Sequence, residues 1–137
     1  MEKLKVSISW SGNNYCAESH DDVLKGIVVC TQKTLKGVKD GFQSSLQFHI
    51  KSCLQDGDQL PEWLILGQYE LDYMLETSAL LHSLDGILTR SAIARMSGIN
   101  ERQMGHYAAG IRMPRPVQRT KIVNAIHKIS QELSTVR

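Results

Sequence analysis

Between Glu101 and His106 the chain sets Glu101, Arg102, Gln103 and His106 close together, and each of these side chains can bond the edge of a nucleic-acid base. Arg102 offers a planar fork for guanine and Gln103 a donor–acceptor pair for adenine. Glu101 can accept from cytosine or favour a helix N-terminus, and His106 can reach a base or a phosphate. Such groups read a sequence only if one rigid element presents them together. The surrounding stretch, RSAIARMSGINERQMGHYAAG from Arg90 to Gly110, reads as two short helices joined by a tight turn, the layout of a helix-turn-helix.

The framework of that motif is legible residue by residue. Ala94 is the small residue wanted where two helices cross, Gly98 suits the turn, and Ile99 returns to the core. Asn100 caps the second helix, and Gln103 completes a capping-box-like pair with it. Met104 and Tyr107 face inward at helical spacing, and Gly110 closes the element. Glu101, Arg102, Gln103, His106 and Ala109 then lie outward, with Gly105 leaving a gap among them. Beyond Gly110, Pro114 and Pro116 stiffen a link in which Arg112, Arg115, Arg119 and Lys121 flank the reader, with Arg90 as a further cation. These five are expected on the phosphate backbone, where they set affinity rather than sequence.

A second chemistry, metal-dependent phosphodiester cleavage, requires several carboxylates converging on one or two ions. Glu18, Asp21, Asp22, Asp40, Glu70 and Asp72 are instead spread over predicted strands, a loop and a helix, and read as solvating charges. Cys16, Cys30 and Cys53 are odd in number and contain no CxxC pair, so neither a disulfide framework nor a zinc site is expected. The reading is of a protein that is not an enzyme and needs no cofactor or metal, with a metal-dependent nuclease as the least favoured alternative.

Charge divides the chain. Residues 1 to 77 carry seven Lys/Arg against eleven Asp/Glu, a net −4, whereas residues 78 to 137 carry nine against three, a net +6. The basic half suits a polyanion such as DNA, and the acidic half suits a basic protein. The opening MEKLKVSISW has charge and strand alternation where a signal peptide has an apolar core, and no run reaches the length of a membrane span. A cytoplasmic protein without membrane contact, its thiols reduced, is expected.

The elements that hold these groups follow from periodicity. Leu4, Val6, Ile8 and Trp10 alternate with polar residues as a strand, Ser11 to Asn14 turn, and Tyr15 to His20 return. Gly26 to Cys30 reads as a strand buried on both faces. Leu35, Val38, Phe42, Leu46, Ile50, Cys53 and Leu54 then share one side of a helix capped by Thr34, and Gly57 ends it. Gly37 and Gly41 each cost that helix about 1 kcal/mol relative to Ala, so packing must hold it. Trp63 to Leu66 can pack or pair, and Gln68 to Leu75 alternates as a fourth strand. A boundary falls near Glu76, giving domains 1–76 and 77–137. In the second, Leu80, Leu81, Leu84 and Ile87 open a helical run. Ile122, Ile126, Ile129 and Leu133 mark a closing helix, which packs on its own domain or seeds a dimer seam.

The order β, β, β, α, β before a C-terminal reader resembles the HicB-type antitoxins of bacterial toxin–antitoxin systems, in the helix-turn-helix subgroup. Gly26-Ile27-Val28-Val29-Cys30-Thr31 leading into Thr34-Leu35, and TRSAIARMSGINERQMGHYAAGIRMPRP from Thr89 to Pro116, carry the resemblance. It departs from the family's acidic helix start by having Lys33, Lys36 and Lys39. The resemblance implies an α+β fold: a partial, catalytically dead ribonuclease-H-like domain, then an all-α helix-turn-helix domain. It further implies a HicA-like mRNA-cleaving toxin and operator DNA as partners, and a homodimer or homotetramer that represses its own operon. A stand-alone repressor without a toxin is the alternative.

Overall fold

The computed structural model describes residues 1–137 and is α+β, divided into two compact units, Met1–Glu76 and Thr77–Arg137. No helix is long and apolar enough to cross a membrane.

The first unit begins with a hairpin of β1 (Glu2–Ser11) and β2 (Asn14–Ser19). Ser11 pairs with Asn14, so the loop has two residues, and Gly12 takes the positive φ of 64° that its first position requires. After a single 3-10 turn at Asp22–Leu24, capped by the Asp21 carboxylate, β3 (Val28–Gln32) pairs antiparallel with β2. Helix α1 (Leu35–Gln55) and the short α2 (Glu62–Ile65) precede β4 (Tyr69–Leu75), which pairs parallel with β1. The sheet order is β3-β2-β1-β4.

One face of this sheet is packed. Leu4, Val6 and Ile8 of β1 are buried, as are Val38, Phe42, Leu46, Ile50 and Cys53 of α1, the helical stripe that periodicity predicts except at its ends, where Leu35 is half-buried and Leu54 is exposed. The Thr34 hydroxyl caps α1 by accepting from the Gly37 N–H at 2.9 Å. The opposite face is open. It presents Lys3 beside Glu70 and Lys5 beside Asp72 in register, pairs of opposite charge that favour this alignment of β1 and β4. At its end the Ser7 hydroxyl donates to Glu76 at 3.0 Å.

One expectation is corrected and, at Trp63–Leu66, packing with Leu64 buried replaces strand pairing as the outcome. The apolar run at Gly26–Cys30 is not doubly buried: β3 is an edge strand, with Val28 covered but Val29 48% exposed and Ile27, ahead of the strand, 57% exposed. A β-branched run carries the same signal at an edge as in a sheet centre. Residues 62–65 form a helical turn because Pro61 leads in at φ −57° and Gly67, at φ 72°, accommodates the chain reversal. There the Gln68 N–H returns to the Trp63 carbonyl at 2.8 Å.

The helix glycines have a tertiary reason. A Cβ at Gly41 would stand 2.6 Å from Cys30 Sγ, and one at Gly37 2.7 Å from the capping Thr34 oxygen. At Gly41 the missing side chain lets α1 lie close against β3. Gly41→Ala is therefore expected to lower stability by about 1 to 3 kcal/mol, despite alanine's helix propensity; a chemical denaturation midpoint above wild type would contradict this packing.

The second unit is all helical: α3 (Thr77–Ser83), α4 (Arg90–Ser97), α5 (Glu101–Ala108) and α6 (Pro116–Ser134). Leu81, Ile93, Ala94, Ile99, Met104, Tyr107, Ala108 and Ile122 form its core, with Ile126 and Ile129 packed against them. The stripe of α6 is thus used within its own unit, apart from exposed Leu133.

His82 Nδ1 lies 3.4 Å from Asp85. Burial is the main cause that lowers its pKa below the ordinary 6.5, and Arg90 adds to it, against the raising influence of Asp85 and a backbone bond to Ala108. The unfolded chain therefore binds this proton more tightly than the folded one. His82 contributes stability above about pH 6.5 that is lost as pH falls through the lower, folded value. Thermal melts between neutral and mildly acidic pH should show this loss, and His82→Gln should flatten it; an equal slope in the variant would assign the effect elsewhere.

Candidate nucleic-acid interface

Helix α4 starts at Thr89, whose hydroxyl accepts from the Ala92 N–H at 3.0 Å, and stops at Gly98, in the left-handed region at φ 77°. The Gly98 N–H returns to the Ala94 carbonyl at 2.9 Å. Two residues later the Asn100 side chain caps α5, accepting from the Gln103 N–H at 2.8 Å. Gly110, at φ 76°, follows the last turn of α5, with the Ile111 N–H bonded back to the His106 carbonyl at 3.0 Å. Ala94, Ile99, Met104 and Tyr107 are all buried. The two short helices are therefore held at a glycine turn by a common core, with the other side of α5 directed to solvent.

Glu101, Arg102 and Ala109 are exposed on that side. Gln103 is half-buried, and its side-chain amide donates to the Tyr107 hydroxyl at 2.9 Å rather than reaching back to the helix start as a capping box would. Part of the fork needed for a two-point adenine contact is thus engaged within α5. His106 is also half-buried, with Nδ1 covered by protein and without a hydrogen-bond partner, so outward contact falls to Nε2. Of the four candidate base-facing residues, Glu101 and Arg102 are exposed, and Arg102 is the one whose guanidinium fork stands uncommitted.

The flanking cations divide in the same way. Arg112, Arg115 and Lys121 are exposed. Arg90 lies 3.5 Å from Asp85 with its Nε covered, and Arg119 donates to the Thr77 hydroxyl at 3.0 Å; both are engaged within the unit. Gln103, Tyr107, Arg112, Met113, Arg115 and Gln118 line a hollow of about 420 Å³. Arg115 stands at the N-terminal end of α6, which lacks a side-chain cap, so the positive end of the helix adds to the two guanidinium groups. Sequence reasoning missed Gln118 because nothing local marks a glutamine that a turn of the chain carries beside α5.

The carboxylates weighed for metal chemistry stay apart. Glu70 and Asp72 pair in register with lysines on the open sheet face, Asp21 caps a turn, and Asp40 lies 2.9 Å from Lys36 on α1. No group of three or more His, Cys, Asp or Glu residues is arranged to hold a metal ion.

Two glycines of the interface are expected to respond in opposite ways. Gly98 has a φ that disfavours any side chain, so Gly98→Ala should destabilise the unit by about 1 to 2 kcal/mol. A Cβ at Gly105 meets nothing within 4 Å, so Gly105→Ala should stabilise it by up to about 1 kcal/mol through helix propensity. Melting temperatures that move in the same direction would contradict the assigned geometry. No family model, curated protein or solved structure matches the chain.

Proposed function

We propose that the chain is a non-catalytic DNA-binding antitoxin of the HicB type, a repressor of its own operon that also neutralises a HicA-like mRNA-cleaving toxin by direct binding. In this reading α4, the Gly98 turn and α5 are a helix-turn-helix, and α5 enters the major groove. The observation that carries it is α5 itself, locked from behind by Met104 and Tyr107 while Arg102 projects freely. Arg112, Arg115 and Lys121 supply phosphate contacts beside it, and two copies of the reader would address two half-sites.

The first unit is read as a partial ribonuclease-H-like domain. Its three strands followed by the long α1, the short α2 and then β4, with β4 parallel to β1, support that reading, and its net charge of −4 suits a small basic toxin. One observation favours a stand-alone repressor instead. Lys36 and Lys39 extend from α1, the former beside Asp40 and the latter over the Tyr73 ring at 5.1 Å, and cations on this helix would repel a basic partner.

Fluorescence anisotropy with duplex DNA from the gene's own upstream region tests the DNA half. Arg102→Ala should weaken specific binding by roughly 1 to 3 kcal/mol, whereas Arg115→Ala should weaken all sequences alike and reduce the salt dependence. Absence of salt-sensitive binding by wild type, alone or with the adjacent gene's product, would overturn the assignment. Co-expression with that neighbouring gene, scored for rescue of growth, separates the antitoxin from the stand-alone repressor.

A further inference from the structure

The hollow between α5, the link after it and the start of α6 gathers hydrogen-bond donors without any negative charge. Gln103, Tyr107, Arg112, Met113, Arg115 and Gln118 line it, and no carboxylate is among them. The ion pairs of the chain lie elsewhere, so the Arg112 and Arg115 guanidinium groups share this space with like charge and no counter-charge from the protein. In α6, Pro116 has no N–H, and the Arg119 N–H is the first to bond back, to the Arg115 carbonyl at 2.9 Å. The N–H groups of Val117 and Gln118 therefore have no acceptor within the helix, and no side chain caps them.

Tyr107 supplies an independent sign. It is 3% exposed, and its hydroxyl oxygen accepts from the Gln103 amide at 2.9 Å. That bond uses a lone pair and leaves the hydroxyl's own hydrogen undonated within the chain. A buried donor without an acceptor costs stability. Because Tyr107 lines the hollow, an acceptor placed there can reach it.

We infer that this hollow seats one phosphate-type oxyanion, and that the anion's presence is passed to the base-reading helix through Tyr107 and Gln103. Guanidinium forks, a phenol and helix N–H groups come from three parts of the chain, which suits a tetrahedral group with at least three accepting oxygens better than a planar carboxylate. One of those oxygens accepts the Tyr107 hydroxyl hydrogen. The bonds then run in one sense, from the Gln103 amide to the Tyr107 oxygen and from Tyr107 to the anion, and each polarises and strengthens the other. A seated anion thereby holds Gln103 more firmly against Tyr107 and away from a two-point adenine contact. The phosphate can belong to a DNA strand or to a free small ester, since both present the same oxygens. The seat stands without the DNA-binding reading, whereas the consequence for Gln103 as a base reader rests on it.

Inorganic phosphate titrated into the full chain at constant ionic strength, followed by two-dimensional NMR, tests the seat. Duplex DNA from the upstream region, with single phosphates made neutral as methylphosphonates, identifies the source. Phosphate should give saturable shifts at the Val117 and Gln118 amides and slow the hydrogen exchange of the Gln103 side-chain amide. Arg112→Gln and Arg115→Gln, both at exposed positions that leave the fold intact, should each weaken phosphate binding about tenfold. Tyr107→Phe, which keeps the packed ring, should weaken it about tenfold as well and abolish the response of Gln103. If a DNA strand fills the seat, one methylphosphonate should weaken wild-type binding about tenfold and leave Tyr107→Phe unaffected; saturable phosphate binding with no such position assigns the seat to a free ester. Saturable phosphate binding by a chain that binds no DNA upholds the seat and overturns the DNA reading. Absence of both saturable phosphate binding and a Tyr107-dependent methylphosphonate position overturns the inference. So does phosphate binding to which Tyr107→Phe makes no difference, or which neither arginine variant weakens.

Discussion

An eight-residue helix has almost no stability of its own in water, because nucleation is unfavourable and few hydrogen bonds follow it. Both α4 and α5 are that short. They persist only because Ile93, Ala94, Ile99, Met104 and Tyr107 enter one core with Leu81 and Ile122. The same burial fixes the rotation of α5 about its axis, and that rotation decides which side chains are free. With Met104 and Tyr107 inside, Arg102 must lie outside, Gln103 falls at the border where Tyr107 can hold its amide, and His106 is partly covered. The proposed specificity of the reader thus rests on apolar packing.

In the first unit the corresponding constraint is a four-stranded sheet with one helix to cover it. Helix α1 hides a single face, and the closeness of its approach depends on the missing side chain of Gly41 beside Cys30. Everything on the other face must tolerate water or a partner. Its lysine–carboxylate neighbours on β1 and β4 keep that surface polar, while the edge at β3 lacks such protection. The two units therefore present different surfaces: one is mixed in charge and bounded by an open strand, the other has exposed arginines beside a fixed helix.

Features set by neighbouring residues were legible in the sequence. Thr34 and Asn100 were recognisable as caps, Gly57 as a left-handed position, Gly98 as the turn glycine and Gly110 as a helix end, because a helix end is determined within a few residues. The alternation of β1 and the stripe of α1 were visible for the same reason. What periodicity could not supply was the setting of an element: Val28 and Val29 look alike whether a strand is central or at the edge. Nor could it show that the Gln103 amide bonds Tyr107 one turn along α5, or the donation from Arg119 to Thr77 and the contact between Gly41 and Cys30, which arise only when the chain folds back. The engagement of Gln103, Arg90 and Arg119 within the second unit leaves Glu101, Arg102, Arg112, Arg115 and Lys121 as the exposed candidate contacts.

Helix α5 is proposed to read DNA. Amide and side-chain chemical-shift mapping of the full-length protein, titrated with duplex DNA from its own upstream region, tests it most directly. The largest changes are expected on Glu101, Arg102 and Ala109 and on the link from Arg112 to Gln118, with the Arg102 side-chain signals moving only with specific sequence. Saturable shifts confined to other surfaces, with α5 unperturbed, would contradict it.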